Sequence, residues 1–174
     1  NYKSLNAPNI LKVEEEDATD IKINAPFGFQ VIEELLYDEE VNEKQINQAV
    51  NKTKNRLGLI ENNVKLNLKK YHVLWLLSDA IVRVAVTGVT GFDSPVLEQS
   101  LSESKMVYVA LENIFKIYKS SFKNQDLWLA WEKELNQTKT SLQGDFNKFD
   151  RYHFIKNHTH KQLKLLVKTQ KDWQ

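Results

Sequence analysis

The sequence of 174 residues contains no cysteine. This absence excludes disulfide bonds, thiolate metal sites, a cysteine nucleophile and haem attached through a C-x-x-C-H motif. Glycine and proline are scarce, at five and three residues, which leaves little material for the many tight turns of an all-β fold. Leucine, lysine and glutamate are abundant instead, so the composition favours an all-α fold.

Neither sign of charge dominates, because the formal net charge is only +1. The charges are unevenly placed, however: residues 1–43 hold 3 Lys against 11 Asp and Glu, and the basic excess lies in the remainder. A nucleic-acid-binding domain would carry a dominant positive excess. We therefore expect no nucleic-acid partner, and a soluble globular class from the 41% hydrophobic and 27% charged residues.

The first 25 residues differ in pattern from the rest. They show no helical periodicity and include Pro8 and the acidic run at residues 14–17. We predict an extended acidic segment over residues 1–25 and one helical-bundle domain over residues 26–174. The chain opens on Asn1 without an initiator Met or an apolar signal segment, so we expect a mature or trimmed product, a fragment of a larger chain.

Apolar residues spaced by three and four predict the helices of this domain. Short loops between them favour an antiparallel, up-and-down bundle, in which Phe146 and Phe149 plug the core before the last helix. We predict five or six helices. The first begins near Phe29, the second runs from Val41 to Leu68 with Val50, Leu57 and Val64 on its apolar stripe, and the third runs from Tyr71 to Val89. The next starts at Asp93–Pro95 with Leu97 and Phe115 inward, another runs from Asp126 to Gly144 with Trp131 and Leu135 inward, and the last runs from Asp150 to Lys171 with Tyr152, Ile155, Leu163 and Leu166 inward.

The segment Tyr71–Val89 is apolar almost all round and is predicted to be the central helix of the core. Asp79 and Arg83 near its middle argue against a transmembrane span. Together with His72 they form a narrow polar stripe, and Asp79 and Arg83 can pair at i, i+4. The stripe is either a buried ion-pair network that reaches Glu33 or Glu34, or part of a ligand site.

The last predicted helix contains three histidines and a basic stripe. His158 and His160 point about 200° apart, and His153 and His158 are spaced little better, so we expect no shared metal ion. Lys161, Lys164, Lys168 and Lys171 form a basic stripe. It is either a solvated face or a surface for an anionic partner, membrane headgroups or the acidic N-terminal segment. The sequence has no Ser-His-Asp arrangement, phosphate loop, H-E-x-x-H or EF-hand motif, so we predict no catalytic and no metal-ligating residue.

The stretch at residues 26–36 resembles the G-x-H-x-x-E region of the imelysin superfamily, also called insulin-cleaving membrane proteases. Gly28 matches the glycine, Glu33 matches the glutamate, and Gln30 stands where the histidine should be. An amide is neutral at all pH values and a poor metal ligand. This departure makes general-base chemistry and metal binding at the motif doubtful.

Two further stretches, residues 90–95 and 149–156, join the motif in a narrower resemblance. Together they resemble the N-terminal helical region that precedes the di-haem cytochrome c peroxidase domain of Bacteroidetes-type proteins. This resemblance implies a periplasmic or cell-envelope location, with haem only in the downstream domain of the parent. It implies a non-catalytic accessory domain that docks to that haem domain or to an electron-carrier protein.

The alternative function is an imelysin-like module that binds iron or another cation, or acts as a peptidase. It would use the degenerate motif together with the polar stripe, which gives the candidate site Gly28, Gln30, Glu33, His72, Asp79 and Arg83. Of the two hypotheses we favour the accessory domain. We therefore expect Glu33 to face inward and to pair with Arg83 instead of holding a metal.

Overall fold

The computed structural model describes residues 5, 12–17, 20–24, 26–63, 68–92, 94 and 96–174. In these residues helices dominate, and the predicted all-α bundle of five to six helices is confirmed. The elements in chain order are β1 Lys12–Asp17, β2 Asp20–Asn24, α1 Phe29–Leu36, α2 Glu43–Asn63, α3 Lys70–Arg83 with a π-helical segment at Val84–Gly88, α4 Ser100–Ile117, α5 Gln125–Ser141, and α6, which is continuous through Arg151–Phe154, a π-helical segment at Ile155–Thr159, and His160–Asp172.

Strands β1 and β2 form an antiparallel hairpin in the acidic N-terminal segment. Val13 pairs with Ile23 and Glu14 with Lys22, and the register is irregular between Glu15 and Asp17. The sequence predicted extended chain here but not the pairing, because so short an alternation does not separate a strand from a solvated segment. Pro8, which contributed to that prediction, lies outside the described residues.

The chain divides into two compact units, residues 1–66 and 67–174. The sequence predicted a single domain over residues 26–174, so α1 and α2 were expected to belong to the main bundle. Apolar spacing shows that a segment is helical, but it does not show which helix it packs against. The large apolar core lies in the second unit, since its buried residues run from Val73 to Trp173.

In the first unit, α1 contacts α2. The buried residues of α2 are Ala49 and Thr53, and the Thr53 hydroxyl donates to the Ala49 carbonyl at 2.8 Å. Val50 and Leu57, predicted to face inward, are 40% and 41% exposed. This part of the predicted stripe is wrong, because small side chains form the buried face of α2. Val64, a further member of the predicted stripe, lies outside the described residues.

In the second unit, α5 runs antiparallel to both α4 and α6, as predicted for successive helices. Between α4 and α5, the rings of Phe115 and Trp131 lie 4.3 Å apart and Glu112 meets Lys139 at 2.8 Å. The residue numbers rise on one helix as they fall on the other, which defines the antiparallel direction. Between α5 and α6, Trp131 Nε1 donates to Thr169 Oγ1 at 2.8 Å.

Helix α3 buries one side only, through Val73, Leu77 and Ile81. On the opposite side Trp75 and Val86 are 66% and 63% exposed. The prediction of a central core helix is therefore wrong in its position: within this unit α3 packs against α6 and, through its π segment, α4. No helix in the described part of the chain combines the length and apolar character that a membrane crossing needs.

Helix α4 begins at Ser100, later than predicted. Glu98 has a φ of 52°, a left-handed conformation that a helix does not continue through, and Leu97 is 39% exposed instead of inward. Of the predicted cap residues, Ser94 is buried. Asp93 and Pro95 lie outside the described residues.

The π segment of α6 explains another difference from the sequence prediction. Tyr152 and Ile155, predicted to face inward, are 74% and 40% exposed, whereas Leu166 is buried as predicted. A π turn holds one residue more than an α turn and so shifts the phase of a helix. The residue that faces inward at the start of α6 is therefore Phe154.

The loop before α6 is anchored by Arg151. Its Nε donates to the Val89 carbonyl at 2.9 Å, and its two terminal nitrogens donate to the Phe149 and Phe146 carbonyls at 3.1 and 3.0 Å. The Phe146 and Phe149 rings pack against the core, which confirms their predicted role as plugs. Arg151 thus joins the end of the α3 π segment to the start of α6.

Candidate functional site

A buried carboxylate lies between α5 and α6. Glu134 is 0% exposed. It follows Trp131 by three residues, so the helical period places it on the buried face of α5. A buried carboxylate is costly unless charged and hydrogen-bonding partners surround it. The residues around Glu134 are therefore the first place to look for function.

Both oxygens of the Glu134 carboxylate have partners on α6. Oε1 lies 2.9 Å from His158 Nδ1 and 3.3 Å from Gln162 Nε2. Oε2 lies 2.5 Å from Lys161 Nζ. Two of these partners differ in exposure, because the Lys161 side chain is 48% exposed and the His158 side chain is 14% exposed.

Two hydroxyl groups extend this network. Thr138 Oγ1 donates to the Glu134 backbone carbonyl at 2.9 Å and accepts from Gln162 Nε2 at 2.8 Å. The Tyr108 hydroxyl, on α4, donates to Gln162 Oε1 at 2.8 Å. Glu134, Thr138 and Gln162 are all 0% exposed, as is Tyr108. The network therefore links three helices through polar contacts inside an apolar core.

The surroundings shift the pKa of two of these groups. Burial raises the pKa of Glu134, but hydrogen bonds from His158 and Lys161, with their charges, outweigh it and hold the pKa below its ordinary value. Burial raises the pKa of Tyr108 far above its ordinary value, against the opposing effect of the Gln162 hydrogen bond. Glu134 is therefore a carboxylate at neutral pH, and Tyr108 remains a hydrogen-bond donor.

The π segment of α6 positions the partners of Glu134. His158 lies within the segment, and Lys161 and Gln162 follow in the next turn. π-helical segments occur frequently at functional sites, where the extra residue re-aims neighbouring side chains. Here the segment brings one imidazole, one ammonium and one amide to a single carboxylate.

An open cleft of about 680 Å³ borders the cluster. Glu134, His158 and Lys161 line one part of it, and the other lining residues also carry polar side chains. Volumes of about 300–1,000 Å³ are typical of small-molecule sites. The cleft is large enough for a small polar ligand.

The Glu134 cluster is better suited to stabilising a buried carboxylate than to transferring a proton to or from a substrate. Oε1 of Glu134 lies within hydrogen-bonding distance of His158 and Gln162, and Oε2 forms an ion pair with Lys161. Because Glu134 is also 0% exposed, a substrate proton does not readily reach this carboxylate. Over the described residues, no three His, Asp or Glu side chains come together as ligands for a metal ion. His158 contacts Glu134, whereas His153 contacts the Asn157 amide at 3.0 Å.

The residues of the G-x-H-x-x-E-like motif lie at the start of α1. Gly28 has a φ of 130°, a conformation that favours glycine, and its carbonyl accepts from the Ile32 amide at 3.1 Å. Gln30 is buried, and its Oε1 has no hydrogen-bond partner within the described ranges. Glu33 is half-buried. The motif thus has a structural reason for its glycine and a buried amide at the histidine position.

The polar stripe of α3 lies at the edge of the core. Asp79 is exposed, while His72 and Arg83 are half-buried. His72 Nδ1 accepts the Lys69 backbone N–H at 3.2 Å and so helps to cap the start of α3. Of the two alternatives for this stripe, the buried ion-pair network therefore does not include Asp79 as a buried group. The pairing of Glu33 with Arg83 stays a prediction.

Sequence reasoning missed the Glu134 cluster. The apolar stripe of α5 was recognised through Trp131 and Leu135, and Glu134 on the same face was overlooked. A charged residue inside an otherwise apolar stripe was the available signal. Gln162 gave a similar signal, because it precedes the inward Leu166 by four residues on the same face of α6. No protein-family model, curated protein or solved structure matches this chain.

Proposed function

We propose that this chain is a non-catalytic accessory domain of a periplasmic protein that resembles the di-haem cytochrome c peroxidases. Its role is to dock onto the haem domain of the same polypeptide or onto an electron-carrier protein. We infer the parent protein from the resemblance at residues 26–36, 90–95 and 149–156. We infer docking from the charged surface of α6, which is the observation that carries the proposal.

The outer face of α6 is strongly basic. Residues 151–174 contain six Lys and Arg against one Asp. Lys164, Lys168 and Lys171 of the predicted stripe are exposed. The fourth member, Lys161, forms an ion pair with Glu134, and its side chain is 48% exposed. Concentrated charge of one sign on a surface steers association with a partner of opposite charge. The fitting partner is a protein with an acidic patch.

The Glu134 cluster supports the non-catalytic part of the proposal. Its only carboxylate already accepts hydrogen bonds from α6 residues, as in a network that holds two helices together. A catalytic carboxylate would need to be within reach of a substrate proton, whereas Glu134 is 0% exposed.

The first test is the full open reading frame of the gene. A pair of C-x-x-C-H motifs downstream of these residues is expected. Their absence overturns the peroxidase-like parent. If they are present, the separately purified haem domain should bind this chain, measured by isothermal titration calorimetry at low and high salt. Affinity should fall as salt rises, because exposed charges are screened.

Charge reversal on α6 tests the docking face. Lys164→Glu and Lys168→Glu should each weaken binding about tenfold at low salt, about 1.4 kcal/mol. Lys105→Glu is the matched control, since Lys105 is an exposed lysine on α4. If the α6 variants bind as tightly as the control, docking through this face is rejected, whatever the reading frame contains.

A further inference from the structure

The cleft beside Glu134 is lined mainly by neutral side chains that both donate and accept hydrogen bonds. Amide and hydroxyl groups have this double capacity, and so do the hydroxyl groups of a sugar. These neutral lining residues are Asn136, Gln137, Thr140, Ser141 and Asn157.

The charges of the cleft are balanced within the protein. Lys161 contacts Glu134 at 2.5 Å, so one ammonium and one carboxylate offset each other. An adjoining cleft of about 370 Å³ shares Ser141, His153 and His158 with the first. Its carboxylates are occupied by the backbone: Asp145 accepts from Asn147 N and Asp150 from His153 N, each at 2.8 Å. Lys148 also lines the adjoining cleft, beside the two carboxylates, so the lining has no excess of lysine over carboxylate for an anionic ligand.

His158 gives the cleft a directed polar group. Its Nδ1 faces the Glu134 carboxylate at 2.9 Å, an acceptor that fixes the proton on Nδ1. Nε2 is then the ring nitrogen able to accept a hydrogen bond from a ligand hydroxyl. In the adjoining cleft, the partly buried Phe149 ring supplies an apolar wall.

We propose that these two adjoining clefts bind a neutral, hydroxyl-rich small molecule of the sugar class, with a ligand hydroxyl on His158. The Glu134 cluster then positions the imidazole. This site lies beyond the docking role proposed above and does not depend on it, since it requires neither a haem domain nor the basic face of α6.

The test is an NMR titration that follows the imidazole signals of His158 and His153 in the intact chain. The probes are glucose, galactose, maltose and trehalose, each raised to about 50 mM, which is ample for a site of millimolar affinity. Saturable shifts of the His158 signals with at least one sugar are expected. The proposal is overturned if no sugar shifts them, or if sodium phosphate or acetate shifts them at lower concentration than any sugar.

Two exposed lining residues provide variants that leave the core intact. Gln137→Ala and Asn157→Ala should each weaken binding of the responding sugar about fivefold, as expected from one lost hydrogen bond. Asn113→Ala, at an exposed asparagine of α4 outside both clefts, is the control and should bind like the unchanged protein. Equal affinity of all three variants would place the sugar elsewhere and reject the site.

Discussion

Glu134 and His158 lie 24 residues apart in the sequence, yet the Glu134 Oε1 and His158 Nδ1 atoms are 2.9 Å apart. This contact joins α5 to the π segment of α6. It lies inside an apolar core, where a buried carboxylate is costly unless partners surround it. Gln162 and Thr138 also donate to Oε1, and Lys161 forms an ion pair with Oε2.

Replacing Glu134 by Gln should lower the free energy of unfolding at neutral pH by about 2–3 kcal/mol, the range for hydrogen bonds to charged groups. His158 and Lys161 would lose their ionised acceptor while the packing volume is kept. Urea denaturation followed by circular dichroism measures the loss. Glu132→Gln on the same helix is the control, and an equal loss in both variants would contradict a special role for Glu134.

The stability of the unchanged protein should also depend on pH through Glu134. Its pKa in the folded protein lies below the ordinary value of 4.5, so the carboxylate stabilises the fold above that pH. This contribution is lost as the pH falls through the lowered pKa. The gap in unfolding free energy between Glu134→Gln and the unchanged protein should therefore shrink between pH 7 and pH 3. A gap that is constant over this range would contradict the linkage.

Gly91→Ala should destabilise the second unit by about 2–4 kcal/mol. Alanine is strained in the left-handed backbone conformation of this position, and its Cβ would overlap the Phe146 ring. Gly91 has a φ of 84°, and a Cβ there would lie 2.6 Å from Phe146 Cζ. Gly144→Ala is the matched control, because φ is 95° but a Cβ meets nothing within 4 Å. It should cost only about 1–2 kcal/mol. Equal melting temperatures for the two variants would show that the Phe146 contact is unimportant.

Arg151→Lys should lower stability by about 1–3 kcal/mol, because an ammonium cannot reproduce the planar fork that reaches three carbonyls. The carbonyls of Val89, Phe149 and Phe146 would lose their shared donor. Thermal unfolding measures the effect. Lys148→Ala, at an exposed position in the same loop, should leave the melting temperature nearly unchanged. A similar small change in Arg151→Lys would contradict the anchoring role.

Titration with ferrous, zinc and copper ions distinguishes the accessory-domain proposal from its cation-binding alternative. We expect no stoichiometric heat in calorimetry, because Gln30 replaces the histidine of the motif and an amide is a poor ligand for these metals. Stoichiometric binding that Glu33→Ala abolishes would favour the alternative. Under the accessory-domain proposal, Glu33→Ala changes only stability.

The helices could be predicted from the sequence because spacing by three and four is a local property. Phe115, Trp131 and Leu166 were placed correctly for this reason, and all three are buried. Trp75 was misplaced because an apolar side chain can face outward without disturbing the helical pattern. The burial of Glu134 could have been read from the apolar stripe of its own helix, but its partners could not, because spacing within one helix does not reveal contacts between helices.

The π segment Ile155–Thr159 has a consequence for how relatives of this chain would align with it. Phe154 and Gln162 are both buried, although eight residues in a regular α-helix would turn their directions about 80° apart. If only seven residues separated them, their directions would differ by about 20° in a regular α-helix, without any π turn. A relative with a regular helix here should therefore show a single-residue gap at positions 155–159. That gap would mark the insertion event that created the local setting of His158.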